Sequence, residues 1–317
     1  MDQFAMMRAV TLFSLHTDLT DKKNIQVIRH STGIEKLDAA LGGGLIPGTL
    51  TVVLGATGIG KTQLGITYAD AGAKQEGERG SIFDLTTRGD SQNQADYAKR
   101  ICGWELVNRD PELALQADAI WDRQAARADF MHVFRRSGRR VTIQDMERED
   151  WIEFKSDLMR KLDRTIGFFY GNFVHGVRRT IIDGVEPTDR DSDSFQFHLF
   201  DYIYHQILRK DDDWVARDLF RAAFRKQQDH IDKNRYDFHQ ISSVLLYTSH
   251  EVMLHDLIRR PIQSGDVLSN ANTIIMMGKT ETDGRIGRAI YVAKHRGSRC
   301  DETIMPYQIT EEGIQIL

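Results

Sequence analysis

The residues best suited to chemistry form one unbroken run, Gly55-Ala56-Thr57-Gly58-Ile59-Gly60-Lys61-Thr62. Its spacing, G-x-x-x-x-G-K-[ST], is that of a P-loop. Gly55 and Gly60 let the backbone curl so that consecutive N–H groups face the phosphates of a nucleotide. Lys61 is placed to reach the β- and γ-phosphates, and Thr62 to ligate Mg²⁺. Such a loop works only between a strand and a helix. Leu50-Thr51-Val52-Val53-Leu54 supplies an apolar strand before it. Gln63-Leu64-Gly65-Ile66-Thr67-Tyr68-Ala69 reads as the first turns of a helix, whose positive N-terminus adds to the anion site.

The rest of the chain must position that loop. It has 317 residues, 41% of them hydrophobic and 28% charged, with only five prolines, enough for one large domain or a domain with insertions. A net charge of −4 provides no overall attraction to nucleic acid or to an anionic membrane. Cys102 and Cys300 are far apart and have no CxxC partner, which fits a reducing compartment and excludes a zinc ribbon. Met1 to Leu15 is amphipathic, interrupted by Asp2 and Arg8, and too short to span a bilayer. A cytoplasmic location without membrane contact is therefore expected.

Ahead of the loop, Ile25-Gln26-Val27-Ile28 reads as a short strand. Ser31-Thr32-Gly33 is a candidate N-cap for a helix from Ile34 to Leu41, ended by Gly42-Gly43-Gly44. Leu45-Ile46-Pro47-Gly48 then turns into the P-loop strand. Beyond the loop, Gly77-Glu78-Arg79-Gly80 leads into a second strand, Ser81 to Leu85, and a helix after Gln94 carries Tyr97, Ile101 and Cys102 to Gly103-Trp104. A helix is expected from Glu112 to Phe130. Phe130 to Phe134 and Val141 to Ile143 flank Arg135-Arg136-Ser137-Gly138-Arg139-Arg140, a basic hairpin that either contacts phosphate or is merely solvated. A long helix from Asp150 to Phe173 precedes the strand Arg179-Thr180-Ile181-Ile182-Asp183, which reads as Walker B, with Asp183 holding Mg²⁺ through water. Phe195 to Leu208 is an amphipathic helix, and Asp211-Asp212-Asp213 caps another from Trp214 to about Lys233. Ser242 to Tyr247 is the next strand. His250-Glu251 and His255 are spaced one residue too widely for the zinc signature H-E-x-x-H. Two further strands, Asn272 to Met277 and Arg288 to Ala293, are joined through Thr282-Asp283-Gly284.

Ser31-Thr32-Gly33-Ile34, Leu37-Asp38, Leu41-Gly42-Gly43-Gly44-Leu45, Pro47-Gly48 and the P-loop together resemble the opening of KaiC-like ATPases, a branch of the RecA superfamily. Near the other end, Lys294-His295-Arg296-Gly297-Ser298 resembles the family's K-x-R-G-[ST], and Pro306-Tyr307-Gln308-Ile309-Thr310-Glu311-Glu312-Gly313-Ile314 its P-[FY]-x-I-T-x-x-G-I. The resemblance covers roughly residues 27 to 104 and 179 to 317.

That resemblance implies a RecA-like P-loop α/β domain over residues 25–317, after an N-terminal segment of residues 1–24. Its sheet is twisted and mainly parallel, flanked by helices, with helical insertions near 107–145 and 211–240 and a C-terminal antiparallel extension. It implies ATP and Mg²⁺ as ligands and a homo-oligomer, ring or filament, in which Lys294 and Arg296 reach a neighbour's γ-phosphate. It also points to Ser249 or His250 as a γ-phosphate sensor. One departure matters. Where the family's second strand ends in glutamates that polarise the attacking water, this chain has Thr86 and Thr87, and a hydroxyl cannot take a proton as a carboxylate does. Asp84 and Asp90 are the candidate substitutes. The expected function is ATP binding with slow Mg²⁺-dependent hydrolysis by an oligomer. The alternatives are a non-hydrolysing, nucleotide-dependent module that binds a protein partner, and a DNA recombination or repair accessory factor using the basic hairpin. Self-phosphorylation, which in this family accompanies a duplicated core, is not expected from one core unit.

Overall fold

The strands that carry the site are nearly continuous apolar runs, and every residue of β1 (Leu50–Gly55), β2 (Ser81–Asp84) and β5 (Arg179–Val185) is buried. Such strands need cover on both faces. The computed structural model describes residues 28–86, 94–113, 115–134, 148–186, 195–261 and 267–317. The N-terminal segment, residues 25–27 of the first expected strand, Thr87, Asp90 and the basic run Arg135 to Arg140 with Val141 to Ile143 lie outside the described residues.

In chain order the helices are α1 (Glu35–Ala40), α2 (Lys61–Gln75), α3 (Gln94–Cys102), α4 (Arg123–Ala126), α5 (Arg148–Val174), α6 (Phe195–Ile203), α7 (Asp212–Phe220), α8 (Phe224–Lys233), α9 (Leu254–Arg259) and α10 (Val267–Asn270). The remaining strands are β3 (Asn108–Arg109), β4 (Phe130–His132), β6 (Ser242–Thr248), β7 (Thr273–Thr282), β8 (Arg285–His295), β9 (Met305–Thr310) and β10 (Gly313–Ile316). Together they form a ten-stranded sheet in the order β10-β9-β8-β7-β1-β6-β5-β2-β4-β3 among the described residues. From β3 to β7 every neighbouring pair is parallel, and from β7 to β10 every pair is antiparallel. The protein is thus α/β, with a mainly parallel sheet and a C-terminal antiparallel extension, as a RecA-like fold requires.

Alternation along each strand divides the core in two. Leu50, Val52, Leu54, Phe83, Ile182 and Leu245 face the layer containing Phe169, Phe173, Phe200 and Phe220. Val53, Ile82, Ile181 and Val244 face the layer containing Leu37, Leu64, Tyr68 and Tyr307. Helix α2 is tied to β5 at both ends. At its start Thr62 Oγ1 donates to Asp183 Oδ2 at 2.8 Å. Past its end the fully buried Arg179 guanidinium donates to both carboxylate oxygens of Glu76, at 2.6 and 2.8 Å, and to the carbonyls of Ser31 and Tyr68. A bidentate pair of this kind fixes geometry as well as charge.

Three local expectations are corrected. Ser31 and Thr32 do not cap α1, whose N-cap is Ile34 with no side-chain bond; their hydroxyls donate instead to the Asp38 carboxylate at 2.5 and 2.7 Å, a charged acceptor that outcompetes backbone groups. Residues 112–130 are not one helix but a 3₁₀ turn, Ala117–Trp121, followed by the four-residue α4. Asp122 is extended there and accepts from Gln124 N at 2.8 Å, which restarts the helix. Trp121 is meanwhile held by Gln227 at 2.7 Å and stacks on Phe220 and His230. The helix expected from Trp214 to Lys233 breaks at Arg221, where φ is +46°, and Asp211 at its start makes no side-chain cap. The long helix at α5 and the span from Phe195 to Leu208 agree with expectation, the latter ending in a π turn, Tyr204–Leu208. Strands β7 and β8 run further than read and meet at Asp283-Gly284, both with positive φ, the geometry of a tight hairpin turn.

Candidate functional site

Strand β1 delivers Gly55 to its C-terminal end, and α2 begins at Lys61. A Cβ at Gly55 would lie 2.4 Å from the Met277 carbonyl oxygen, so only glycine lets the loop start this close to β7. Gly58 and Gly60 adopt φ of +76° and +107°, left-handed conformations that side chains resist. Lys61 is buried, and its Nζ donates to the carbonyls of Gly55 at 2.7 Å and Ala56 at 3.0 Å. Burial pulls its pKa down to about 8, against the upward pull of Asp183 and Glu186.

Asp183, at the C-terminal end of β5, brings charge to the same place. Its Oδ2 accepts from Thr62 Oγ1 and from Gln94 Nε2, each at 2.8 Å. Burial raises its pKa, while those two bonds and Lys61 pull it back. A cleft of about 180 Å³ opens between the loop and this aspartate, bounded by Thr57 to Gln63 in part, Thr86, Glu186, Thr248 and Ile309. Strand β9 forms its underside. Tyr307 donates from its hydroxyl to the Ile59 carbonyl, and Ile309 Cδ1 lies 3.1 Å from where a Cβ at Gly60 would be.

The end of β2 is built differently. Asp84 is 1% exposed and pairs in register with Asp183 on β5 and with His132 on β4. Its Oδ1 accepts from the Thr86 N–H at 2.8 Å. Burial, and then Asp183, raise its pKa to about 6, with His132 opposing. Thr86 is held on all sides: His132 Nε2 lies 2.8 Å from its carbonyl oxygen, and a Cβ at Gly184 would meet its N at 2.4 Å.

The structure therefore brings Gly55 to Thr62, Asp183 and Asp84 together. Asp90 lies outside the described residues. Ser249 is buried just behind the cleft, donating its N–H to the Gly55 carbonyl at 3.1 Å and its hydroxyl to Glu251; its neighbour Thr248 lines the cleft instead. His250 is exposed. Lys294 donates to the carbonyls of Leu268 and Ser269 at 3.2 and 3.1 Å, and burial followed by Arg296 lowers its pKa. Arg296 is exposed, and neither cation lines the cleft of its own chain. Sequence reasoning missed Gln94, Thr248 and the underside formed by Tyr307 and Ile309. For the last pair the signal was their spacing of two on one strand, which puts both on one face. Nothing local marks Gln94.

Residues 30–127 match the sequence model of a family described as "ATPase: KaiC". Over 313 residues, 99% of the chain, the sequence is 22% identical to the circadian clock oscillator protein KaiC of Thermostichus vulcanus, and to the same extent to that of Thermosynechococcus vestitus. It covers 47% of each, so the chain spans about half the length of these relatives. Over 106 residues it is 31% identical to the circadian clock protein KaiC2 of Synechocystis, matching 32% of this chain and 18% of that one. The family match covers the loop and its flanking elements, and a sheet of RecA-like order surrounds them, so the chain is similar to the KaiC ATPases and has a RecA-like P-loop fold.

Proposed function

We propose that the cleft binds ATP, and ADP after turnover, together with Mg²⁺. The carrying observation is the 2.8 Å bond from Thr62 to Asp183 beside the buried Lys61 ammonium, formed by residues 121 positions apart. The residues fit these ligands. Amides of the loop from Gly55 to Thr62 and the Lys61 ammonium suit phosphate oxygens, and a hydroxyl beside a carboxylate suits a hard divalent cation. Mg²⁺ bound there neutralises phosphate charge. Lys61 holds the terminal phosphates, Asp183 positions the ion from β5, and the loop with Ile309 excludes water from one side.

Hydrolysis is the finer half of the proposal. Asp84 is the acid nearest Asp183 on the neighbouring strand, and it takes the proton of the attacking water, with Asp90 as its substitute; slow turnover is expected because Asp84 is occupied by Thr86 N–H. Ser249, bonded to Gly55, and its neighbour His250 report the state of the γ-phosphate to β6. Copies of the chain assemble as a ring or filament, and Lys294 and Arg296 of one copy neutralise the γ-phosphate held by the next. The two free cysteines accord with a reducing, cytoplasmic setting, and no described helix is long and apolar enough to cross a membrane.

The threonine at 86 favours a second reading, in which ATP is held without hydrolysis and controls docking of a protein partner. A nucleic-acid role rests only on Arg135 to Arg140 and has less support. Titration calorimetry with Mg-ATP and Mg-ADP tests binding, and absence of any binding heat overturns it. ATP turnover and sedimentation of wild type and Arg296→Ala, with and without Mg-ATP, test the rest. Nucleotide-dependent assembly that Arg296→Ala weakens supports the oligomer; binding with no turnover in either protein leaves the regulatory module.

A further inference from the structure

A second cleft, of about 320 Å³, lies at the other end of the sheet, between β3, the turn after it, the middle of α5 and the end of α7. Its size is that of an ordinary small-molecule site. Part of the wall is apolar, formed by Leu115, Phe168 and Leu219. Gly167 keeps that wall open: a Cβ there would meet only Leu219 Cδ1, at 3.7 Å. The remainder is cationic. Arg109, Arg160, Arg164 and Arg221 line it against a single carboxylate among the described residues, Asp163, which is already engaged by Arg221 at 2.5 Å.

Two of these guanidiniums, Arg109 and Arg164, have no carboxylate partner among the described residues. Arg109 donates to the carbonyls of Ala125 and Ala126, and burial lowers its pKa, with no carboxylate among the described residues offsetting it. Arg164 donates from Nη1 to the Arg160 carbonyl at 2.7 Å, while its buried Nε finds no hydrogen-bond partner among the described residues. Guanidinium removed from water without a counter-charge is costly, and oxyanions satisfy it through parallel hydrogen bonds. Arg221 completes the rim from a backbone with φ +46° and ψ −115°, a conformation that non-glycine residues adopt at a cost and that tends to mark functional positions.

We propose that this cleft binds a small organic anion, a carboxylate, phosphate or sulfonate group on an apolar body, with Arg109 and Arg164 holding the charged group and Phe168 and Leu219 the body. The site shares no residue with the P-loop, so it stands or falls independently of nucleotide binding.

The probe is 1-anilinonaphthalene-8-sulfonate, titrated by fluorescence into the full chain with excess Mg-ADP present, and compared with the uncharged N-phenyl-1-naphthylamine. The Arg109→Gln/Arg164→Gln variant is expected to weaken sulfonate binding at least about tenfold, the loss of one or more charge-assisted hydrogen bonds, and to leave the neutral analogue within about twofold, a change no larger than a few tenths of a kcal/mol. Gly167→Leu, which fills the cleft, abolishes saturable binding of both. Gly167→Ala leaves the space open and retains it. 1-Naphthyl phosphate displaces the sulfonate from wild type. Equal affinity for charged and neutral probes, or sulfonate binding unchanged in the double arginine variant, overturns the proposal. Thermal melts identify any variant that fails to fold, and if Gly167→Leu is one, the arginine variant decides.

Discussion

The two strand ends that meet at the P-loop cleft are built on opposite principles. At the end of β1 the grip is backbone: glycines with left-handed φ, a carbonyl from Met277 that tolerates no Cβ at Gly55, and a single buried ammonium. At the end of β2 everything depends on side-chain charge, and the position where a carboxylate is expected holds Thr86, locked between Asp84, His132 and Gly184. Under the proposed function, that difference separates holding a triphosphate from breaking it. The first rests on amides that every residue carries, in a conformation that its glycines set; the second rests on the identity of one or two side chains.

The largest expected effect falls on the junction of the two regions. Gly184 has φ +92°, and a Cβ there would sit 2.4 Å from Thr86 N. Gly184→Ala should therefore cost about 3 kcal/mol or more, strain plus overpacking, read as a shift of the urea midpoint. A stability within about 0.5 kcal/mol of wild type, the range of innocuous surface changes, would show that the two strand ends are not rigidly joined.

Lys61→Ala is next. It removes charge-assisted hydrogen bonds of about 1.5–3 kcal/mol each, so Mg-ATP affinity by calorimetry should fall about 100-fold. Asp84→Asn should leave ADP affinity within about twofold yet lower turnover at least about tenfold, the low end for removal of a general base. If turnover is unchanged, the β2 end is inert and Asp90 becomes the test. The smallest effect is expected from Tyr307→Phe. Loss of one buried bond to the Ile59 carbonyl should weaken nucleotide binding by about fivefold, near 1 kcal/mol, showing whether the backbone grip depends on its underside.

Much of this was legible in the chain. The P-loop is eight consecutive residues whose conformation glycine dictates locally, and β1, β5 and β6 are apolar runs that only a doubly covered parallel sheet can bury. The expected helix from Glu112 to Phe130 failed for a reason no local pattern carries: Trp121 is drawn to Gln227, 106 residues away, and Asp122 restarts the helix. The expected helix across Arg221 failed in the same way, at a bend that sets the guanidinium against Asp163 on α5. Gln94 was invisible because glutamine at a helix start is ordinary until β5 places Asp183 opposite it.

Spacing along the chain alone determined the phosphate loop and the strand that feeds it, since each is a property of neighbours in sequence, and the family resemblance marked the departure at Thr86. Tertiary structure alone decided that Asp183 meets Thr62, that Tyr307 lies 248 residues on yet beneath Ile59, and that four arginines from three elements share one cleft. Those outcomes depend on how sheet register and helix packing bring distant segments together, and side-chain chemistry acquires a partner only after that has happened.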